Sequence, residues 1–392
     1  MTAPEYARKV SSAGFDPLKG KHPLLVQLDI ELTERCNNRC MHCLINRPED
    51  DREVKEREMD TTFVLDVLRQ AADLGCMTVR FTGGEPLLRK DFTELYLAAR
   101  RLGMQVILFT NARLITPDLA ALLARVPPGS VVEVSVYGMH PASYDAVSGV
   151  KGSYDEFKRG IGLLLDHNVP FVVKAALLPQ NRDEMAEFEA WAATLPAMDQ
   201  RPGYAMNFDL RARRDDPAKN RRIAALRLSP AETVNMLARD PKYVSEMQQF
   251  CGKFMGPPGD RLFSCGAGHG TCVDAYGYAQ MCLPLRHPAM VCDLRTHSLR
   301  EAVKELFPRF RKRKAENPEY LQRCAVCFLK GLCEQCPAKS WMEHGTFDTP
   351  VEYLCEVAHA QARYLGLIRE HERAWDVTDW RERVEKFTKK NA

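Results

Sequence analysis

The chain has 392 residues, 45% of them hydrophobic and 27% charged, a size and composition for two folded domains and not for a disordered chain. Its 55 basic residues against 52 acidic ones leave a net charge of +3, too balanced to argue for a nucleic-acid groove or an anionic membrane surface. No stretch approaches the ~18 unbroken apolar residues of a membrane span and no apolar signal core opens the chain, so a cytoplasmic protein with no membrane or nucleic-acid partner is expected.

Residues 1–23 read as a short N-terminal extension. From 24 to 215, short β-rich runs alternate with amphipathic helical patterns, the signature of repeated βα units around a parallel sheet. Six strands are predicted, at 25–32, 78–82, 106–110, 131–137, 171–178 and 205–210. Asp60, Thr61 and Thr62 can cap a helix that Gly75 ends, and Pro117 suits the first turn of another that stops before Pro127, Pro128 and Gly129. The expected fold class is therefore α/β, a partial (β/α)6 TIM-like barrel with its chemistry in the loops after the strands. Residues 211–220 are charged with little apolar pattern and read as an exposed loop, and 216–249 as a linker or helical segment. Ten of the 14 cysteines fall between 250 and 355, so 250–365 is expected to fold around metal more than around a large core. A helix near 360 leads into a polar C-terminal tail, 366–392.

Fourteen thiols in a reducing compartment are poor candidates for disulfides, and metal ligation is the better use. Cys36, Cys40 and Cys43, spaced Cx3Cx2C directly after the first predicted strand, bring three thiolates into one compact loop. A four-iron cube on three protein ligands keeps one iron free to chelate a substrate or cofactor. A structural zinc site would need a fourth ligand such as His42, strained by its position between two of the cysteines. Thr82, Gly83, Gly84, Glu85 and Pro86 end the second strand, where glycines permit close backbone approach and bare carbonyls can accept from an ammonium group. Alone, that run is more often an ordinary turn.

Cx3Cx2C after a first strand, followed by Gly-Gly-Glu-Pro after the second, resembles the signature of the radical S-adenosylmethionine (SAM) superfamily. The resemblance implies a SAM-binding 4Fe-4S cluster on Cys36, Cys40 and Cys43. It also implies contacts to S-adenosyl-L-methionine from Thr82, Gly83, Gly84 and Glu85, from Asn111 closing the third strand, and from Ser135 on the fourth. Lys174 and Leu178 on the fifth strand either approach the same cofactor or are a solvent-facing lysine and a core leucine. The implied chemistry is one-electron cleavage of SAM to a 5'-deoxyadenosyl radical, the protein orienting the reactants and excluding water and oxygen.

Cys265, then Gly277 and Cys282, resembles the opening of the SPASM domain, and Cys324, Cys327, Cys333, Cys336 and Cys355 supply the other five cysteines of its pattern. Cys333 and Cys336 stand one residue closer together than in the commonest form. The resemblance implies one or two auxiliary 4Fe-4S clusters, the nearer on Cys265, Cys282 and Cys336, the farther on Cys324, Cys327, Cys333 and Cys355. Cys272 is either a fourth ligand of the nearer cluster or a core thiol, and Cys76, Cys251 and Cys292 read as ordinary thiols. By themselves the Cx2C pairs would fit a zinc knuckle.

Over 24–365 the resemblance is specific for superfamily and domain and silent on substrate. Enzymes of this layout mostly abstract hydrogen from a residue of a peptide. The expected function is therefore maturation of a ribosomally synthesised peptide by crosslinking, epimerisation, oxidation or decarboxylation. The implied partners are the peptide, a flavodoxin- or ferredoxin-type electron donor and a separate leader-binding protein, since 1–23 is shorter than the ~40 residues of an independent domain. The alternatives are a radical SAM enzyme acting on a small-molecule or cofactor precursor, haem-type or sugar, and a non-enzymatic zinc-binding interaction protein. A sulfatase-maturing role fits less well, because Leu283 stands where that family has an aspartate. Tyr137, His140, Asp209 and His269 lie near strand ends or cysteine loops, yet none stands out as a general base.

Overall fold

Alternation along the first strand sets the architecture. In β1 (Gln27–Thr33), Leu28, Ile30 and Leu32 are buried in the apolar core with Val64 and Leu68 of the helix Thr61–Asp73, while Gln27, Asp29 and Glu31 point to the opposite face. The structure, a computed structural model, describes residues 25–265 and 270–389, so the expected extension at 1–23 and His269 lie outside the described residues. β1 pairs in parallel with β2 (Thr78–Gly83), and β3 (Gln105–Thr110), β4 (Gly129–Val136), β5 (Phe171–Ala176) and β6 (Gly203–Ala205) follow, each parallel to its predecessor. Spatial order equals chain order, as helical crossovers between parallel strands dictate.

The helix starts fall at the expected cap at 60–62 and at Pro117 in a first turn. Asp60 accepts from Phe63 N at 2.8 Å, and Thr116 accepts from Leu119 N at 3.2 Å ahead of Pro117 in the helix Pro117–Arg125. The sixth strand, Gly203–Ala205, overlaps the expected 205–210 only at Ala205. Phe208 and Leu210 leave the sheet and pack with Ala176, Leu178, Ile223 and Met342 in a small core of their own.

The sheet continues past β1. β7 (Gly270–Val273) lies parallel on its other edge, with Leu28 opposite Thr271 and Ile30 opposite Val273. β8 (Tyr278–Gln280) and β9 (Val291–Asp293) extend it antiparallel, giving an open nine-stranded sheet ordered β9-β8-β7-β1-β2-β3-β4-β5-β6. The cysteine-rich segment therefore shares the barrel's sheet, because a partial barrel leaves an edge of β1 whose backbone groups need partners.

Two expected polar segments are structured. Residues 211–220 are no exposed loop: Arg211 is buried and pairs with Asp215 at 2.8 Å, and the helix Pro217–Leu226 begins within the segment. Its charges are partners of one another and of the sheet, not a solvated face. Within the expected C-terminal tail, the described residues 366–389 include a packed helix. The helix Trp380–Lys389 sends Val384 and Phe387 into a second core with Cys251, Phe328 and Leu332, and Trp380 stacks on Phe328 at 5.8 Å. Its many charges mask a narrow apolar stripe. Among the described residues no helix is long and apolar enough to cross a membrane.

A buried charge network ties β1 to the C-terminal segment. Glu31 and Arg286 are fully buried in contact with each other, and Arg286 Nη1 donates to Glu34 Oε1 at 2.6 Å. Arg213 donates to the same oxygen at 2.8 Å and to Asp274 Oδ2 at 2.7 Å, and the Tyr276 hydroxyl donates to Glu34 Oε2 at 2.8 Å. Burial pushes the Glu31 carboxyl up to about 7 despite Arg286. Burial pushes Glu34 up as well, but Arg286 and Arg213 outweigh it and hold that carboxyl below its usual range. Arg286→Met strands the buried Glu31 carboxyl and takes one of two guanidinium partners from Glu34, and denaturant unfolding should show a loss of about 3–5 kcal/mol. A loss under about 1 kcal/mol, the size of a surface pair, would mean the network does not hold the segments together.

Candidate active site

Backbone crowding at the strand ends explains both glycines of the second motif. A Cβ on Gly83 would meet Thr33 O at 2.1 Å and one on Gly84 would meet Arg35 O at 2.1 Å, and Gly83 also has φ +122°. The end of β2 thus lies directly against the chain that leaves β1 toward Cys36. Arg35 is locked to Glu58 by hydrogen bonds of 2.8 and 3.0 Å, and Arg47 N donates to Glu34 O at 2.7 Å, closing the base of the cysteine loop.

The loop is held from within the barrel. Asn111 Nδ2 donates to Asn37 Oδ1 at 2.7 Å and to Cys36 Sγ at 3.9 Å. Arg113 bonds to Asn37 O and, at 2.6 Å, to Asn38 Oδ1, and pairs with Glu156. The 36–43 segment is therefore positioned by buried side chains from the end of β3 before any ligand arrives.

Over the strand ends lies a cavity of about 690 Å³. Its inner wall carries Cys36, Cys40 and Cys43 together with Thr82, Gly83, Gly84, Asn111, Ser135 and Tyr137. Its outer wall is made by Phe208, Asp209, Leu237, Tyr243, Met247, Phe250, Leu332 and Glu334. Burial pushes the Cys40 thiol up to about 12, against a hydrogen bond from Tyr137, and pushes Cys36 well above its ordinary value. Thiols so hard to ionise bind a metal only by giving up protons to it. His42 sits 5.8 Å from the Tyr137 ring and 5.1 Å from Phe208, and burial, helped by Lys219, holds its imidazole down at about 4.

Glu85 is placed differently from the expectation. It is fully buried behind the cavity wall and accepts from Leu87 N at 3.1 Å, Thr110 Oγ1 at 2.9 Å and Asn111 N at 2.8 Å. Its carboxylate staples the Gly-Gly-Glu-Pro turn to the end of β3, and Glu85 is not among the residues that line the cavity. Lys174 pairs with Glu133 at 2.8 Å and lies 3.2 Å over the Phe109 ring, and Arg80 stacks on the same ring from beside Asp29. These charges form a floor on the concave face of the sheet. Leu178 is a core residue, and His140 pairs with Glu187 at the surface.

The C-terminal cysteines fall into two sets. Cys324, Cys327, Cys333 and Cys355 line one small cavity of about 60 Å³, with Arg323 Nη2 3.7 Å from Cys355 Sγ. Cys282 has Cys336 and Cys265 as neighbours, and burial pushes its thiol up to about 12. Cys272 does not join them: it is a fully buried residue of β7, opposite Asp29, with Glu31 and Arg286 nearby. Among the described residues no three His, Cys, Asp or Glu side chains close around a point that a single ion would occupy; the thiols instead border open spaces. Three soft donors on one wall and four around another space match the donor chemistry of iron-sulfur clusters.

The outer wall escaped the reading of the sequence, because 216–249 read as a linker or helical segment with no site residue on it. Tyr243, Met247 and Phe250 are spaced as one face of the helix Tyr243–Phe254, a signal that was present. Lys339, in contact with Asp209 and 3.3 Å from Glu334, had no such signal.

Burial raises Glu85 to about 7, so the stability it confers is complete below about pH 4.5 and lost as pH rises through 7. The unfolding free energy of the wild type relative to Glu85→Gln should therefore fall by on the order of 1–3 kcal/mol over that window and level off above it. A flat difference would show that Glu85 is ionised throughout.

Residues 30–192 match the radical SAM superfamily. The chain is 26% identical over 337 residues to an AdoMet-dependent heme synthase of Methanosarcina barkeri, covering 81% of this chain and 92% of that protein. It is 34% identical over 167 residues to a PqqA peptide cyclase of Rhizobium meliloti, covering 43% of this chain and 44% of that one, so it spans under half of that relative's length. In structure it resembles Streptococcus suis SuiB bound to precursor peptide SuiA, with a TM-score of 0.60 at 16% identity over 80% of this chain and 72% of that chain, a likeness of fold.

Proposed function

Starting from an iron-sulfur dependent enzyme of the radical SAM superfamily, we propose that this chain modifies a residue of a ribosomally synthesised peptide, with Cys36, Cys40 and Cys43 holding its SAM-cleaving 4Fe-4S cluster. When bound, that cluster supplies the electron that splits SAM into methionine and a 5'-deoxyadenosyl radical, which takes hydrogen from the substrate. The observation that carries the reading is the single cavity joining the three-thiol wall to a broad outer wall of aromatic and aliphatic side chains.

The chain's own residues divide the work. Asn111 and Arg113 hold the cysteine loop, Tyr137 donates toward the Cys40 sulfur, and Thr82, Gly83, Gly84 and Ser135 border the space beside the thiols where SAM is proposed to sit. Tyr243, Met247, Phe250 and Leu332 shield that space from water, which a radical needs. Cys265, Cys282 and Cys336, and separately Cys324, Cys327, Cys333 and Cys355, are proposed to hold auxiliary clusters, with Cys272 left out of both sets. A one-electron donor and a separate leader-binding protein complete the proposed system.

A haem-type substrate is the second reading, favoured by the fuller match to the heme synthase. The outer wall weighs toward the peptide. Asp209 and Glu334 share one lysine there, and a macrocycle bearing several carboxylates would meet that surplus negative charge.

Reduced, iron-loaded protein should release 5'-deoxyadenosine from SAM, and replacing Cys36, Cys40 and Cys43 by alanine should abolish the release. Replacing Cys324, Cys327, Cys333 and Cys355 should lower bound iron by about four per chain without stopping release in the absence of substrate. Release that survives the first replacement ends the proposal. Deuterium passing into 5'-deoxyadenosine from a labelled peptide, and not from a labelled haem-type macrocycle, would decide between substrates.

A further inference from the structure

Two nitrogen donors converge on the Cys355 sulfur. Arg323 Nη2 donates to it at 3.7 Å, and His359 Nδ1 lies 3.6 Å from it. Cys355 and His359 stand one turn apart on the helix Glu352–Tyr364, so they share a face. His359 is buried, and backbone groups fix its tautomer. Its Nε2 accepts from Ala374 N at 3.1 Å, so the ring proton sits on Nδ1, which also donates to Cys355 O at 2.8 Å. Arg323 is held as firmly: its guanidinium lies 4.8 Å over the Trp375 ring and pairs with Glu352 at 2.7 Å and with Glu319. Trp375 meets the His359 ring edge-on at 5.3 Å, so one indole braces both donors.

Arg323, His359 and Trp375 line the same space of about 60 Å³ as Cys324, Cys327, Cys333 and Cys355. Arg323 Nε is buried with no hydrogen-bond partner among the described residues, and a buried guanidinium donor calls for an acceptor. The sulfide-bearing cluster proposed for these cysteines supplies acceptors of that kind.

We infer that Arg323 and His359 are positioning residues that raise the reduction potential of the cluster on Cys324, Cys327, Cys333 and Cys355. The inference rests on the proposed ligation by those four cysteines. On reduction the cluster takes one electron from an outside donor, which is oxidised; no bond is made or broken and no proton moves. The added charge spreads onto the thiolate sulfurs, and an N–H directed at a sulfur stabilises the reduced form more than the oxidised one. Burial strengthens the effect, because water does not compete for the sulfur. Glu319 and Glu352 are more than half exposed and offset the guanidinium charge from the solvent side, so the effect falls to the directed N–H groups and not to net charge.

The test is a redox titration of iron-loaded full-length protein, followed by electron paramagnetic resonance. The signal lost when Cys324, Cys327, Cys333 and Cys355 are replaced identifies the cluster in question. Arg323→Met/Glu352→Gln leaves net charge unchanged and removes the donor. With bound iron intact, its reduction equilibrium should shift about tenfold toward the oxidised form, a fall in midpoint of roughly 59 mV for one electron. His359→Leu should lower the midpoint by less, since a neutral donor bonds more weakly. Arg323→Lys, which keeps the charge and gives up the planar fork, should recover part of the wild-type midpoint, and its own smaller fall carries the test if the methionine variant loses iron. An unchanged midpoint in the iron-loaded arginine variants overturns the inference for Arg323, and one in His359→Leu overturns it for His359. Bound iron that is not lowered by replacing the four cysteines would instead defeat the ligation reading.

Discussion

Two carboxylates at the end of the first strand, Glu31 and Glu34, are buried with the guanidinium of Arg286, and the rest of the molecule is arranged around that burial. Groups this costly to desolvate need partners, and these come from far along the chain: Arg286 after β8, Arg213 after the barrel strands, itself held by Asp274, and Tyr276 from the turn between β7 and β8. A chain that satisfies them must lay its cysteine-rich segment along β1. The same strand end feeds directly into Cys36, so the charge network and the cysteine loop are one mechanical unit.

From that unit the reaction space is assembled by layers. The inner wall is short-range in origin, built by strand ends that follow one another in sequence. Its precision comes from buried polar side chains, with Glu85 stapling β2's turn to β3 and Asn111 and Arg113 gripping the loop between Cys36 and Cys40. The outer wall comes from helices beyond the barrel and from the segment around Leu332 and Glu334, which places the proposed auxiliary clusters and the substrate space on one continuous scaffold. A partial barrel is suited to this, because its open edges accept β7 on one side and leave the mouth wide enough for a bulky substrate.

The chain is similar over residues 30–192 to the radical SAM superfamily, and its relatives have printed activities as different as a heme synthase and a peptide cyclase. The outer wall of this chain's cavity offers aromatic surface and an acidic margin tempered by Lys339.

Much of this was legible in the residues alone. The parallel strands, the cap at Asp60, Pro117 in a first helical turn and the cysteine loop after β1 follow from local periodicity and spacing, which are properties of neighbouring residues, while the grouping of the late cysteines is what the family resemblance implies. What sequence could not decide were pairings between distant segments. The charged run at 211–220 looked solvated because its partners Glu34 and Asp274 are far away in the chain, the Glu85 contact implied by the resemblance could not show that its carboxylate accepts from the end of β3, and Cys272 stayed open between cluster ligand and core thiol until β7 carried it to β1. Spacing records which residues can act together, but burial and long-range pairing, which exist only once the sheet has formed, decide which of them face the cavity.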